Sequence, residues 1–144
     1  LTYGAYWCIV RFENLQVIWG VNSSDNVFYR HGVYGEWELI SGSLQQVSVG
    51  NLGVFGVNWE NDVFYRKGTF KNSSSSGTEW QKLDGKFKYI ESGLCAIIAI
   101  SESNEFVTAE DLSLENGNLK LQWTPLGFDL RQASVCGGKG ISHL

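Results

Sequence analysis

The chain has 144 residues, of which 43% are hydrophobic and 14% aromatic, and it carries a net charge of −4 at pH 7. This length indicates one domain with a sizeable core. The acidic balance argues against duplex nucleic acid or an anionic membrane surface as a partner, and no apolar run approaches the ~20 residues of a membrane helix.

Short runs rich in β-branched and aromatic residues alternate with turn residues along the chain, which predicts an all-β protein. The predicted strands cover residues 7–12, 15–21, 26–30, 37–40, 44–50, 54–57, 62–66, 80–83, 87–93 and 96–100. Asp84-Gly85 is expected to separate two of them, and the Ser-rich run 72–77 to form a surface loop. Residues 110–115 suggest one helical turn that Asn116-Gly117-Asn118 ends.

One stretch occurs twice. Residues 20–30 and 56–66 are identical at seven of eleven positions, with an offset of 36 residues. In each copy a Gly-Val strand and a Val-Phe-Tyr-Arg strand flank a polar turn, so each copy is predicted to be a β-hairpin. Internal repetition of this length indicates a repeat architecture.

A third, less regular copy follows. Trp37, Trp80 and Trp123 are each 43 residues from the next, but Ser101, Thr108 and Ala109 replace the Asn, Tyr and Arg of the earlier copies. Four short strands in each unit of roughly 40 residues are typical of a propeller blade. We therefore predict an all-β propeller with four-stranded blades, in units at about 7–42, 43–85 and 86–127 and a partial fourth at 128–144.

The repeated positions resemble the tectonin-repeat lectin family, which includes fish-egg lectins and a lipopolysaccharide-binding plasma lectin. The positions that carry the pattern are Trp37, Gly42, Leu44, Val47, Gly50, Gly56, Val57, Asn58, Val63, Phe64, Tyr65 and Arg66. The resemblance covers residues 7 to about 136. It implies a β-propeller that binds cell-surface or microbial glycans in innate defence, and a secreted, extracellular location.

The candidate carbohydrate-binding residues are those that recur in both regular copies: Asn22, Tyr29, Arg30, Trp37, Asn58, Tyr65, Arg66 and Trp80. An amide donates and accepts at once, an Arg offers a fork of donors to an acidic group, and an indole offers a flat apolar face to a sugar. Each type also has a structural interpretation, as a turn-capping Asn, a solvated Arg or a packing Trp.

Repetition would raise the avidity of weak individual sugar sites. Family members usually have five or six repeats, so one expectation is that a homo-oligomer completes the propeller, and another is that the chain is part of a longer product. The alternative function is a non-enzymatic scaffold for protein–protein interaction, with aromatic and Arg hot spots on one face.

No catalytic motif is present, and we expect no enzyme activity and no cofactor. His31 and His143 lie apart, the carboxylate pairs Glu102/Glu105 and Glu110/Asp111 are interpreted as solvated charges, and the Gly-rich segment 137–140 lacks phosphate-loop spacing. Calcium at Asp25 or Asp62 would need an ordered ligand loop, which the sequence does not show.

Two modifications can be considered. Asn72 in the Ser-rich run is the better of two glycosylation acceptor patterns, the other being at Asn22. Cys8, Cys95 and Cys136 have no metal-ligand spacing. They are either small buried side chains or one disulfide with one free thiol, and the sequence does not give the pairing.

Overall fold

A computed structural model describes the backbone of residues 6–12, 15–127, 133–135 and 141–143, and the side chains of residues 17–127. These residues form strands and turns without a helix, as predicted. No segment of these ranges forms a helix that is long and apolar enough to cross a membrane.

The first sheet has four antiparallel strands in sequence order. They are β1 (Tyr6–Phe12), β2 (Leu15–Val21), β3 (Asn26–His31) and β4 (Glu38–Ser43). We call this sheet blade 1.

A seven-stranded antiparallel sheet follows. Its strands are β5 (Gln46–Gly50), β6 (Gly53–Val57), β7 (Asp62–Arg66), β8 (Trp80–Ser92), β9 (Ile97–Ser101), β10 (Phe106–Ala109) and β13 (Thr124–Gly127). The first half of β8 pairs with β7 and its second half with β9. We therefore divide this sheet into blade 2, from β5 to residue 86, and blade 3, from residue 87 to β13.

Two features differ from the prediction. Asp84-Gly85 does not end a strand, because Gly85 takes a φ of +113° inside a bulge and β8 continues through it. Residues 113–120 form a hairpin, β11 (Ser113–Glu115) and β12 (Asn118–Lys120), whose first strand replaces the second half of the helical turn expected at 110–115. Asn116 and Gly117 both have positive φ, which is the two-residue turn that favours a hairpin.

A second hairpin, β14 (Ala133–Val135) and β15 (Ile141–His143), follows blade 3, and β14 contacts β8 and β9. The predicted partial fourth unit falls on this hairpin, and its other residues lie outside the described ranges. So do Cys136, the Gly-rich segment 137–140 and the side chains of Cys8 and His143.

The cores lie between neighbouring blades. Alternate side chains of blade 1, such as Val27 and Ile40, pack with Val47 and Val54 of blade 2. Phe55 and Tyr65, on the opposite face of blade 2, pack with Ile90 and Val107 of blade 3. A third cluster, with Ile98 and Phe106, lies on the far face of blade 3. Because β1 contacts β5 and β5 contacts β8, the first strands of successive blades lie side by side.

Candidate functional site

The repeated Asn residues cap turns. In the β2–β3 turn the Oδ1 atom of Asn22 accepts hydrogen bonds from the backbone N–H groups of Ser24 and Asn26, at 3.1 and 2.9 Å. In the β6–β7 turn Asn58 does the same for Glu60 and Asp62, at 3.0 and 2.9 Å. The Asn positions are therefore part of the turn structure, because a short amide side chain satisfies two turn donors at once.

The third turn keeps this geometry with a different side chain. Ser101 Oγ accepts from the Glu105 N–H at 3.0 Å, and a residue one or two positions before the second strand has a φ of 63° to 65° in all three turns. These left-handed residues are Asp25, Asn61 and Asn104, types that tolerate that conformation. The loss of Asn in the third copy is therefore compatible with an intact turn.

The repeated tyrosines are buried. The ring of Tyr65 is fully buried, and its hydroxyl oxygen accepts from the Phe70 N–H at 3.2 Å. Tyr29 donates its hydroxyl proton to the Ser74 carbonyl of blade 2 at 2.7 Å. Burial, together with the charge of Glu38, raises the pKa of Tyr29. Neither ring has an open face on which a sugar could stack.

Arg and Trp form the same pair in blades 1 and 2. The guanidinium carbon of Arg30 lies 5.4 Å from the Trp37 ring centroid, and that of Arg66 lies 5.2 Å from the Trp80 ring centroid. Arg66 is buried, and its Nε donates to the Ser76 carbonyl at 2.9 Å. Burial lowers the pKa of Arg66, while Glu38 and Glu79 act in the opposite direction. The Trp37 pair is more accessible, with Trp37 39% exposed.

The repeated Trp residues also join blades. Trp80 Nε1 donates to the Ser41 carbonyl of blade 1 at 2.7 Å, and Trp123 Nε1 donates to the Asp84 carbonyl of blade 2 at 3.0 Å. Trp80 also lies edge-on to the buried Trp19 of blade 1. Blade 3 has Ala109 in place of the Arg, and there Trp123 packs edge-on to Phe87.

The Ser-rich loop is more tightly held than the sequence suggests. The prediction of a wholly exposed run is wrong at Ser73, which is buried, and Ser74 and Ser76 accept the bonds from Tyr29 and Arg66. Asn72, the candidate glycosylation site, is exposed. Cys95 is also exposed, and its thiol is free, so burial does not account for this cysteine.

Asp62 anchors the β6–β7 turn to β8. Its Oδ1 lies 2.6 Å from Lys86 Nζ and 3.2 Å from Lys82 Nζ. The hydrogen bond from Lys86 lowers the pKa of Asp62 against the effect of burial, and Lys82 adds to the lowering. With two lysines as neighbours, this carboxylate is not arranged for calcium. No group of three or more His, Cys, Asp or Glu side chains that could hold a metal occurs in the described part of the chain.

A half-open cleft lies where the β2–β3 turn meets the starts of the first strands of blades 2 and 3. Its volume is about 460 Å³. It is lined by polar side chains and one aromatic ring: Asn22, Ser23, Asp25, Gln45, Gln46, Lys88 and Tyr89. Of the eight predicted carbohydrate-binding residues, only Asn22 lines this cleft.

Three of the side chains that line the cleft are hydrogen-bonded to their surroundings. Gln46 Oε1 accepts from the Ile90 N–H at 2.8 Å, and its Nε2 donates to the Ile90 carbonyl. Lys88 Nζ bonds to the side-chain oxygen of Asn104 in the β9–β10 turn. Tyr89 donates its hydroxyl proton to Glu91 at 2.7 Å. Gln46 is therefore held by the neighbouring blade 3, and Lys88 and Tyr89 are held within blade 3.

Sequence reasoning missed most of this lining and one exposed aromatic. Gln45 and Gln46 lie 43 residues before Lys88 and Tyr89, so the cleft uses corresponding positions of two blades where the repeat does not match. Trp59 stands in the β6–β7 turn, where the other copy has Ser23, and is 66% exposed. In both cases the residues depart from the repeat, and that departure was the signal in the sequence that could have identified the cleft and Trp59.

Comparisons with known proteins agree with the fold. A family model described as Tectonin domain matches residues 10–141. No curated protein matches the chain. The solved structure of Prp20p from Saccharomyces cerevisiae, studied for its binding properties to Gsp1p and histones, is 12% identical with a TM-score of 0.57, over 83% of this chain and 36% of that chain.

The N-terminal domain of Nup159 is 10% identical with a TM-score of 0.49, over 82% of this chain and 30% of that one. The chain thus spans about a third of the length of these solved structures. The likeness to Prp20p shows the fold, and the predicted β-propeller architecture is confirmed.

Proposed function

The chain belongs to the Tectonin domain family, and on that basis we propose that it is a lectin that binds glycans non-covalently on cell or microbial surfaces. The observation that supports this function best is the polar cleft between the β2–β3 turn and the starts of β5 and of blade 3. We also propose a secreted location, since surface glycans are met outside the cell, and a role in innate defence.

The chemistry of the cleft suits a sugar. Hydroxyl groups of a sugar both donate and accept hydrogen bonds, and an amide side chain such as that of Gln45 offers both a donor and an acceptor to them. Asn22 uses its Oδ1 for the turn, which leaves its Nδ2 hydrogens as the donors it can offer. Tyr89 adds an apolar ring in a cleft of the size that small ligands occupy.

The charges of the cleft bear on the kind of glycan. Lys88 contributes an ammonium group and Asp25 a carboxylate at the same site. An acidic sugar or a phosphate of lipopolysaccharide would be attracted by Lys88. Of the two arginines predicted for such a role, Arg66 is buried and Arg30 does not line the cleft, so Lys88 is the cation that we propose for anionic glycans at this site.

We also propose that the chain binds glycans at sites on more than one blade. In blade 2 the turn position that corresponds to Ser23 carries the exposed Trp59, whose indole offers a flat apolar face to a pyranose. Sites on successive blades would then differ in chemistry but act together through effective concentration.

A glycan array tests the proposal. The wild-type chain is expected to bind a defined set of glycans, and a Gln45→Ala, Lys88→Ala double variant to lose at least about tenfold in affinity, as expected when polar ligand contacts are removed. Gln122→Ala, at an exposed glutamine outside the cleft, is the matched control and should bind as the wild type does. A folded wild-type chain without any array signal would overturn the proposal.

A protein-interaction scaffold is the second candidate. Val33 and Tyr34, in the β3–β4 loop, are strongly exposed, Tyr34 at 97%. Exposed aromatic residues are common in protein interfaces. A saturable protein partner in a pull-down, lost on Tyr34→Ser, together with an empty glycan array, would favour this function over the lectin.

A further inference from the structure

The cleft between the β2–β3 turn and the first strands of blades 2 and 3 contains one charge of each sign. Asp25 lines it from the turn, and Lys88 lines it from the second half of β8. Neither side chain takes part in an ion pair with a described residue. A carboxylate and an ammonium group therefore share one cleft of about 460 Å³ without neutralising each other.

The turn does not require the negative charge of Asp25. Asn61 in blade 2 and Asn104 in blade 3 have the same left-handed conformation at the corresponding point of their turns, and Asn tolerates it as well as Asp does. The backbone supports the correspondence: the Asp25 carbonyl accepts from the Leu44 N–H at 3.0 Å, and the Asn61 carbonyl accepts from the Phe87 N–H at 2.8 Å. The carboxylate is thus a departure from the repeat.

The positive charge of Lys88 is a departure of the same kind. Blade 2 has the uncharged Gln45 at this position, 43 residues earlier. The Lys88 ammonium group bonds to the side-chain oxygen of Asn104, which is an amide and leaves the positive charge uncompensated. Both charges therefore stand where the repeat elsewhere has an amide, and both of them line the same cleft.

Two opposite charges in one cleft select a ligand by its own charges. A purely anionic sugar is attracted by Lys88 but repelled by Asp25, and a purely cationic sugar has the reverse balance. A neutral sugar displaces water from both charges and supplies no counter-charge. A sugar with charges of both signs gains attraction from both residues.

We propose that the cleft binds a zwitterionic sugar, which carries a free amino group and a phosphate, with its ammonium group at Asp25 and its phosphate at Lys88. This inference rests on the proposed lectin function and narrows its ligand class. The other lining side chains suit such a ligand, because the amides of Asn22 and Gln45 offer N–H donors to phosphate or hydroxyl oxygens.

Four monosaccharides of similar size separate the effects of the two charges. At slightly acidic pH glucose is neutral, glucosamine is cationic, glucose 6-phosphate is anionic and glucosamine 6-phosphate is zwitterionic. NMR chemical-shift titration measures the affinity of the 144-residue chain for each of them. The chemical-shift dispersion of the same spectra establishes that each protein is folded.

The variants are Asp25→Asn and Lys88→Gln, which place at each position the residue type that the repeat has elsewhere, so the turn and the strand should be retained. Glu36→Gln and Lys71→Gln each remove one exposed charge that does not line the cleft, and they are the matched controls.

We expect glucosamine 6-phosphate to bind the wild type at least about tenfold more tightly than glucosamine or glucose 6-phosphate does. Asp25→Asn should remove its advantage over glucose 6-phosphate, and Lys88→Gln its advantage over glucosamine, whereas both controls should bind as the wild type does. Equal affinity for the zwitterionic and the anionic sugar, an advantage that survives both substitutions, or no binding of any of the four sugars would overturn the inference.

The glycan array separates this inference from the function on which it rests. Neutral glycans as the only ligands on the array would overturn the zwitterionic ligand and leave the lectin function in place. An array without any signal would overturn both.

Discussion

The indole N–H of Trp80 is 2.7 Å from the main-chain carbonyl of Ser41, and this bond joins blade 2 to blade 1. The same contact joins Trp123 to Asp84 one blade later. The Trp80 bond links β8 to β4, which belong to different sheets, and the Trp123 bond links the residue before β13 to β8, a strand that β13 does not pair with. Trp80 and Trp123 thus each hydrogen-bond their own blade to the preceding one, which is a structural reason for the recurrence of Trp at this position.

Trp80→Phe is expected to lower the free energy of unfolding by about 1–2 kcal/mol, because it removes the donor and leaves the Ser41 carbonyl without this partner. Trp123→Phe should have a similar effect. Urea denaturation measures both. Trp59→Phe, at the exposed turn position, is the control and should change stability by less than about 0.5 kcal/mol. An equal loss of stability in the control would refute the role of the indole hydrogen bonds in joining the blades.

Gly42→Ala should destabilise the junction of blades 1 and 2. A Cβ at Gly42 would stand 2.7 Å from Trp80 Nε1, and the backbone there has a φ of +129°. We expect a loss of about 1–3 kcal/mol, in the range found for overpacked positions. Gly32→Ala also places a side chain at a positive φ, of +77°, but with no atom within 4 Å of its Cβ, so it is the control without a contact to Trp80 and should cost less.

Asn58→Ala should cost about 1 kcal/mol or more, because two turn N–H groups lose their acceptor. Asn58→Ser should recover part of the loss, since Ser101 holds the third turn with one such bond to the Glu105 N–H. Thermal denaturation compares the three proteins. If Asn58 acts in the turn rather than on a ligand, the glycan affinity of folded Asn58→Ala will match that of the wild type.

Asp62 should make stability depend on acid pH. Its pKa is lowered in the folded chain, first by the Lys86 hydrogen bond, so its contribution is full above the unfolded pKa of about 3.9. The contribution is lost as the pH falls from there through the lowered folded pKa. Denaturation of wild type and Asp62→Asn between pH 2 and 7 should converge at the acid end. Asp111→Asn, at an exposed carboxylate, is the control.

The strand order and the repeat phase were predictable from the sequence, because the positions that recur every 36 to 43 residues are those that pack between sheets. β2 and β7 have the predicted bounds. The misplaced elements are those where one glycine decides the outcome. Gly85 supports a bulge inside β8, and Gly117 allows a tight hairpin.

The candidate site was less predictable, because recurrence reports a shared physical constraint without saying which one. Tyr65 recurs since its ring fills a core, and Asn58 since it caps a turn. The cleft brings together residues from three separate segments, and Lys88 and Tyr89 do not match their counterparts in blade 2. Only the arrangement of the blades shows that these positions meet.

The uninterrupted strand β8 ties blades 2 and 3 into one hydrogen-bonded ladder from β5 to β13. Within the described ranges, blade 1 has no such ladder to blade 2 and is joined to it by the link at Leu44-Gln45 and by side-chain contacts. Under heat or mechanical load the seven-stranded ladder should therefore melt as a single cooperative block, and blade 1 should detach before it.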